Sequence, residues 1–407
     1  MEVPPIVALS IPGFFLLIGV ELLINRLQKK DYYKLSDALT SISCGIGSEL
    51  VGIFSKAALF FGYLYIYENL KIFEMPATIW SWVILFFGVD FFYYWFHRKS
   101  HEVNFIWAAH IVHHQSEEYN LTTALRQAWF QNAFSWVFYL PLAFVGFSPY
   151  AFLITKAINL IYQFWIHTKL IDKMWFLELF MNTPSHHRVH HGKNPKYLDK
   201  NYAAVFIIWD KMFGTFMKEE EEPVFGITNT YKSWNPVWTN FHYWGELLDI
   251  ANNSTRWVDK IKVFLKPPGW RPQELGGFKG APEVDKATYQ KYDVEVPNSL
   301  AMYSLVQFVP TLGVASAFLF LSKEFTGVQQ TAVVSIIIFS IISSGAIFDK
   351  IKWITVGEYV RLLAIPCVAL LFFETAGFST IILVAGSWAL ISIIWFSSQL
   401  KGFSTAN

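Results

Sequence analysis

Nine stretches of mainly apolar residues, each about 20 residues long, alternate with polar segments along the chain. A helix needs about 20 apolar residues to cross the roughly 30 Å hydrocarbon core of a bilayer. The pattern predicts an all-α, polytopic membrane protein with about nine transmembrane helices. The second span is the weakest, because Glu49 and Lys56 interrupt it. The expected spans cover residues 5–25, 47–67, 77–96, 128–147, 149–167, 300–322, 327–347, 354–374 and 378–398.

The composition agrees with a membrane protein and excludes several functions. Of the 407 residues, 54% are hydrophobic and only 15% are charged, whereas soluble domains are about 25% charged. The formal net charge of +1 gives no basis for nucleic-acid binding. Cys44 and Cys367 are the two cysteines, too few for a disulfide scaffold or a thiolate metal site.

Basic residues beside a membrane span favour the cytoplasmic side. Arg26, Lys29, Lys30 and Lys34 follow the first span, so the N-terminus is predicted to lie outside and the histidine-rich segments on the cytoplasmic side. We expect an integral, multi-pass protein, in the endoplasmic reticulum membrane if the source is eukaryotic and in the inner membrane if it is bacterial.

A long polar segment separates two groups of predicted spans. Residues 168–298 contain apolar and aromatic residues at the density of a folded core, as in "YAAVFIIWDKMFGTF". The stretch "KPPGWRPQELGGFKGAPEVDK" is rich in proline and glycine and is typical of a linker. We therefore predict a catalytic membrane domain at 1–298 and a four-helix membrane region at 299–407.

Ten of the eleven histidines lie in four places, with spacings HxxxH, HxxHH and HxxHH and one isolated residue. Residues three and four apart share a helix face, so each box is expected to direct two or three imidazoles at one point. Thr183, Pro184 and Gly192 predict a short helix over 184–191. The candidate metal ligands are His97, His101, His110, His113, His114, His167, His186, His187, His190 and His191.

Ten imidazoles exceed what one ion can use, so a dinuclear centre is the simplest interpretation. A chance cluster on a solvated helix is the competing one, and repeated boxes on one membrane face disfavour it. Nitrogen donors suit iron, zinc or copper, and spacing alone does not choose among them. A metal transporter or sensor would need ligands at several depths along a pore. His242 has no partner at a comparable spacing and is expected to be structural.

The histidine boxes between membrane spans resemble those of the fatty acid hydroxylase and sterol desaturase superfamily. Longer segments are similar to one branch of it, which cleaves alkylglycerol ether lipids, and this similarity covers most of the chain. The segments are "GVDFFYYWFHRKSHEVNFIWAAH", "HHQSEEYNLTTALRQ", "YQFWIHT", "NTPSHHRVHHGKNPKYLDKNYAAVFIIWDKMFGTF" and "KPPGWRP".

The superfamily resemblance implies a non-haem di-iron centre that uses O2 on lipid C–H bonds. The branch implies a tetrahydrobiopterin-dependent monooxygenase that hydroxylates the alkyl carbon next to the ether oxygen. The resulting hemiacetal would collapse to a fatty aldehyde and glycerol. The lipid would enter from the bilayer and a soluble reductant from water. Sterol or fatty-acyl hydroxylation or desaturation stays open as an alternative, and the oligomeric state is not predicted.

Polar residues near the boxes are candidates for supporting roles. Asp90 shares a helix face with His97 and His101, and an intramembrane carboxylate is usually functional. We expect Asp90 to accept the free N–H of a metal-binding imidazole, with helix packing as the alternative. Glu102 is expected to bind the pterin, support a ligand or cap a helix. Other candidates, more easily explained as structural or interfacial, are Asn120, Asn182, Asp199, Asn201, Tyr202, Arg126 and Lys193.

Overall fold

The computed structural model describes residues 6–403, apart from the side chains of residues 54–59 and 401–402. The described chain is helical, and its β pairing is an isolated antiparallel bridge between Gly192 and Phe225. The helices of the first half are α1 Ile6–Leu27, α2 Leu35–Asn69, α3 Ile79–Glu102, α4 Asn104–Trp107, α5 Ile111–His114, α6 Gln131–Val145 and α7 Pro149–Trp165.

The second half begins with short helices and ends in four long ones. The described residues of both halves also form six 3₁₀ turns, among them Trp175–Leu179 and Gln273–Leu275. The helices are α8 Pro184–His191, α9 Ile208–Phe213, α10 Pro236–Asn253, α11 Trp257–Leu265, α12 Asn298–Leu321, α13 Gly327–Phe348, α14 Ile354–Leu370 and α15 Phe378–Gln399.

Within residues 6–403, five helical segments are long and apolar enough to cross a membrane, which supports an integral membrane protein. The predicted span 47–67 lies within α2, and the spans at 128–147, 149–167 and 354–374 correspond to α6, α7 and α14. These last three have 15, 17 and 17 residues, short for an upright crossing. Nine spans therefore stay a prediction. The five segments are Ile6–Leu27, Ile79–Glu102, Asn298–Glu324, Gly327–Phe348 and Phe378–Gln399.

Helix α2 joins the two halves of the chain. It packs against α6 on one side and against α12 and α13 on another. The shared core includes Leu50 from α2, Phe318 from α12 and Ile337 from α13. On the α6 side, a Cβ at Gly47 would lie 2.3 Å from the Trp129 ring, so glycine permits this close approach. The division at residue 298 stays a prediction.

Candidate metal centre

Helix α8 has the bounds that its sequence predicts, with Pro184 in its first turn. The capping differs from the expectation, because the Thr183 hydroxyl donates to Glu178 Oε1 at 3.2 Å instead of capping the helix. Gly192 follows the helix with φ of −72°, so it needs no left-handed conformation. It permits close packing instead, since a Cβ there would lie 2.9 Å from the Tyr197 ring.

Nine of the eleven histidines form two groups. Within each group, the potential ligand nitrogens lie within 4.8 Å of one another. All nine side chains are buried. The five-histidine group contains His97, His101, His110, His114 and His190. The four-histidine group contains His113, His167, His187 and His191.

Each HxxHH box serves both groups, which corrects the expectation that a box directs its imidazoles at one point. His110 and His114 belong to the five-histidine group, and His113 belongs to the other. In α8, His190 joins the five-histidine group while His187 and His191 join the four-histidine group. Neighbouring helical residues point about 100° apart, so a box can face two points. The groups adjoin, since the ring centroids of His114 and His191 lie 4.5 Å apart.

Backbone carbonyls fix the protonation of four imidazoles. The Nδ1 atoms of His97 and His190 lie 2.7 Å and 2.9 Å from the carbonyl oxygens of Tyr202 and Lys200. A carbonyl oxygen only accepts, so each Nδ1 carries the hydrogen and each Nε2 carries a lone pair. His113 and His167 are held in the same way, at 3.1 Å and 2.7 Å, by the carbonyl oxygens of Arg126 and Gln163 respectively.

The facing Nε2 atoms fit a bound cation. The Nε2 atoms of His113 and His167 lie 3.2 Å apart, although neither carries a hydrogen in these tautomers. Two nitrogens bound to one ion at about 2.1 Å lie about 3 Å apart at right angles. The Nε2 atoms of His101, His190 and His191 are buried and have no hydrogen-bond partner among the described residues. Buried polar atoms without partners are costly, and a pair of metal ions would supply the missing partners.

Burial favours the neutral imidazoles that metals bind. It lowers the pKa of His110 to about 3, with the nearby His101 adding to the effect. Burial also lowers the pKa of His187 and His191 well below the ordinary value, and neighbouring histidines act in the same direction. Uncharged ligands can therefore gather closely without mutual repulsion.

Two buried carboxylates hold the loop that orients the five-histidine group. Asp210 accepts from the backbone N–H groups of Tyr202 and Ala203 at 2.8 Å and 2.9 Å. Asp90 accepts from the backbone N–H groups of Val205 and Phe206 at 2.9 Å and 3.0 Å. The carbonyl oxygen of Tyr202, in this loop, accepts from His97.

The bonds of Asp90 therefore differ from the predicted ones. Asn159 Nδ2 and Trp209 Nε1 also donate to its carboxylate, at 2.7 Å and 2.9 Å. These four donors match the helix-packing alternative more closely than an imidazole partner. Sequence reasoning did not select Asp210, although an acidic residue in the apolar stretch "AAVFIIWDKMF" close to a histidine box was the available signal.

One predicted ligand, His186, and one predicted supporting residue, Glu102, lie apart from both histidine groups. His186 faces the other side of α8, where its Nδ1 is 3.3 Å from the Met181 carbonyl oxygen. Glu102 accepts from Arg98 Nε at 2.7 Å and from Lys99 Nζ at 2.5 Å, at the end of α3. Neither is a member of the two groups.

The other flanking polar residues brace the backbone around the site. Asn182 Nδ2 donates to the Ala203 carbonyl oxygen at 2.6 Å, and Asn201 Nδ2 to that of His186 at 3.0 Å. Asp199 Oδ1 lies 3.5 Å from His101 Nδ1. Asn120 Nδ2 donates to the Tyr32 carbonyl oxygen at 2.7 Å.

Three further residues from the sequence analysis are buried. Arg126 lies 3.6 Å from the Asp37 carboxylate, and its side chain is only 1% exposed, so its role is structural and not interfacial. Lys193 Nζ lies 3.7 Å from the centroid of the Tyr289 ring. His242 lies outside both groups, with its Nδ1 3.2 Å from the Thr239 carbonyl oxygen.

A cavity of about 220 Å³ connects the membrane helices with the histidines. Its apolar walls include Phe14 of α1, Ile46 of α2, Leu160 of α7 and Leu312 of α12. His110, His113 and His167 line it at the site, so both histidine groups face the same cavity. The arrangement is suited to holding a long apolar molecule against two metal ions.

The fold is that of an integral membrane protein, with a buried, histidine-rich centre that could hold metal ions beside a cavity between apolar helices. A family model described as fatty acid hydroxylase matches residues 82–215, which contain all ten predicted ligands. An ornithine lipid hydroxylase of Rhizobium tropici is 28% identical over 128 residues, covering 31% of this chain and 39% of that protein. No solved structure gives a significant match.

Similarity to alkylglycerol monooxygenases extends over most of the chain. The Homo sapiens protein of that name is 41% identical over 373 residues, covering 89% of this chain and 82% of its own. The Danio rerio protein is 37% identical over 414 residues, covering 98% and 90%. The chain belongs to the alkylglycerol monooxygenase family. The resemblance predicted from the histidine boxes and their flanking segments is thereby confirmed.

Proposed function

We propose that the protein is a di-iron, O2-dependent membrane monooxygenase that hydroxylates the alkyl carbon next to the ether oxygen of alkylglycerols. The product would be a hemiacetal, which collapses to a fatty aldehyde and a glycerol derivative. Tetrahydrobiopterin is the proposed reductant. The observation that carries the proposal is the pair of adjoining histidine groups that open onto one apolar cavity.

The histidine groups support two resident metal ions. The four or five buried imidazoles of each group would hold one ion apiece. The ligand set consists of nitrogens, which iron, zinc and copper all accept. Membership of a monooxygenase family disfavours zinc, because zinc has no redox chemistry, and the proposed choice of iron over copper rests on the superfamily resemblance. A reduced iron pair would supply the electrons that turn O2 into an oxidant of C–H bonds.

The chain's own contribution is to bind, orient and exclude water. The carbonyl groups of Tyr202, Lys200, Arg126 and Gln163 hold imidazole tautomers with Nε2 directed into the site. The cavity walls hold the alkyl chain with one end beside His110 and His113. A fixed chain presents the same carbon to the centre in each turnover, which favours a single hydroxylation position.

The proposed orientation places the centre on the cytoplasmic side. The lipid would then reach the cavity from the bilayer, between the membrane helices, while the reductant reaches the histidines from water. Basic residues after the first span support this orientation. Attaching a fluorescent protein to either terminus and testing its accessibility in sealed vesicles would check the topology.

Hydroxylation of another lipid is the second candidate, and the local similarity to an ornithine lipid hydroxylase favours keeping it. The fold and centre would be the same, and the cavity would select a different lipid. A metal transporter has less support, because nine of the histidines gather in two adjoining groups instead of marking a path.

The decisive experiment combines metal analysis with product analysis. Purified protein is expected to contain two iron ions per chain and to release fatty aldehyde from labelled 1-O-hexadecylglycerol with tetrahydrobiopterin and O2. Replacing His113 by Ala should abolish aldehyde release and leave membrane insertion intact. Active protein without iron would overturn the di-iron proposal, and hydroxylated sterol or fatty acid in place of aldehyde would overturn the substrate assignment.

A further inference from the structure

One amide side chain touches both a predicted ligand and the lipid cavity. Gln131, the first residue of α6, lines the cavity together with His110. Its Oε1 lies 2.9 Å from Nδ1 of His110. No sequence motif distinguishes this glutamine from Gln127, which lies four residues earlier in the chain and lines the same cavity.

The hydrogen bond fixes which end of the amide faces the histidine. His110 directs its Nε2 into the five-histidine group, 3.0 Å from Nε2 of His97 and 3.3 Å from Nε2 of His114. A ligating Nε2 leaves the hydrogen on Nδ1. Gln131 must then present its oxygen to His110 and turn its NH2 group elsewhere.

The NH2 group is available to a molecule in the cavity. Among the described residues, Gln131 Nε2 makes no hydrogen bond, and it is not one of the enclosed polar atoms that lack a partner. It therefore remains accessible, on a side chain that lines the cavity. The wall also carries other polar side chains, among them Asn132 and Ser135, but Gln131 differs from these two because its amide also contacts a predicted ligand.

We infer that Gln131 is a positioning residue that donates a hydrogen bond to the ether oxygen of the lipid while its carbonyl oxygen orients His110. This inference rests on the proposed function. An ether oxygen accepts hydrogen bonds and cannot donate them, which matches an amide N–H. The reacting carbon is bonded to that oxygen, so the bond holds this carbon beside the histidines. Gln131 thus orients the predicted ligand His110 and also fixes which carbon of the lipid is attacked.

The test compares two lipids that differ only at the position of the ether oxygen. These are 1-O-hexadecylglycerol and 1,2-icosanediol, in which CH2 replaces the ether oxygen. Binding is measured without O2, by competition with radiolabelled 1-O-hexadecylglycerol in detergent micelles. Wild-type protein should bind the ether more tightly by about threefold to tenfold, the usual effect of one neutral hydrogen bond.

Two substitutions separate the two ends of the amide. Gln131→Glu keeps an oxygen for His110 and removes the NH2 group, so it should retain both ions and lose the preference for the ether. Gln131→Met removes both ends and should also weaken metal retention in the five-histidine group. Gln127→Met is the matched control, because Gln127 Nε2 donates to the Ala124 carbonyl oxygen at 2.8 Å, and it should keep both the preference and the ions.

Three results would overturn the inference. These are wild-type protein without a preference for the ether, Gln131→Glu protein that keeps the preference, and Gln131→Glu protein that loses metal as Gln131→Met does. Steady-state kinetics give a second measure, since Gln131→Glu should raise KM for the ether lipid with iron content unchanged. A failure of the proposed function is distinguishable, because wild-type protein would then release no aldehyde.

Discussion

Two of the buried polar clusters in the described part of the chain differ in whether the protein itself supplies all their hydrogen-bond partners. In the C-terminal helices, the Glu358 carboxylate accepts from Arg361 Nε and NH2 at 2.9 Å and 2.6 Å and from the Tyr303 hydroxyl at 2.5 Å. Arg361 also donates to Gln307 Oε1 at 2.8 Å. This ion pair of α14 thus has partners from two neighbouring helices, since Ser343 and Ser340 of α13 also bond Glu358 and Arg361, respectively.

In the histidine centre, by contrast, the protein does not supply a hydrogen-bond partner for every buried nitrogen. Buried nitrogens of His101, His190 and His191 have no hydrogen-bond partner among the described residues, and facing Nε2 atoms of His113 and His167 lie at contact distance. Burial and polarity are common to both clusters, so neither property identifies a functional site. Buried nitrogens that lack partners and gather in two adjoining groups do identify one, because leaving them unpaired is costly unless a bound ion completes them.

The largest expected effect follows from removing one histidine from either group. His187→Ala and His190→Ala alter the same helix but different groups, and both should reduce aldehyde release below detection. His187→Ala should lose an ion more readily, because three imidazoles remain in its group and four remain in the other. Elemental analysis after dialysis measures the loss. His242→Ala is the buried control and should keep both ions; unchanged metal content in all three variants would contradict the ligand assignment.

The next effect concerns stability instead of metal. Glu358→Ala leaves the Arg361 charge buried without its partner, which should lower the free energy of unfolding by about 3–5 kcal/mol. Iron content per folded chain should not change. Thermal unfolding in micelles measures the first quantity, and the double replacement Glu358→Leu with Arg361→Met should recover much of the loss. Iron loss from a normally stable Glu358→Ala protein would remove the distinction between the clusters.

A smaller effect is expected from the loop that orients one group. Asp210→Asn replaces one of the two acceptor oxygens with an NH2 group, which would face the backbone N–H group of either Tyr202 or Ala203. The displaced loop should weaken metal binding by about 10–100-fold in the five-histidine group and leave the other group intact. Release of one ion to a competing chelator, with the other retained, would show this. Asp249→Asn, at an exposed position of α10, is the control. Equal loss of both ions would contradict the assignment.

Much of this centre was predictable from local spacing, and the rest depends on tertiary contacts. HxxxH and HxxHH patterns predict a shared helix face, which the helix α3 provides for His97 and His101. Which group each histidine joins depends on where α5 and α8 lie relative to each other, and spacing does not contain that information. The groups that orient the ligands are still harder to predict from the sequence, because backbone carbonyl groups such as that of Tyr202 have no sequence signature.

The smallest effect on metal is expected at His186, beside His187 in the sequence. Its spacing within the box predicted a ligand, but the helix turns it about 100° away from its neighbour, toward the Phe216 ring at 5.3 Å between centroids. His186→Ala should keep both ions and lower stability by about 1 kcal/mol through lost packing. The same analysis that detects ion loss in His187→Ala measures it here. Loss of an ion from His186→Ala would make it a tenth ligand and show that helix α8 rotates when metal binds.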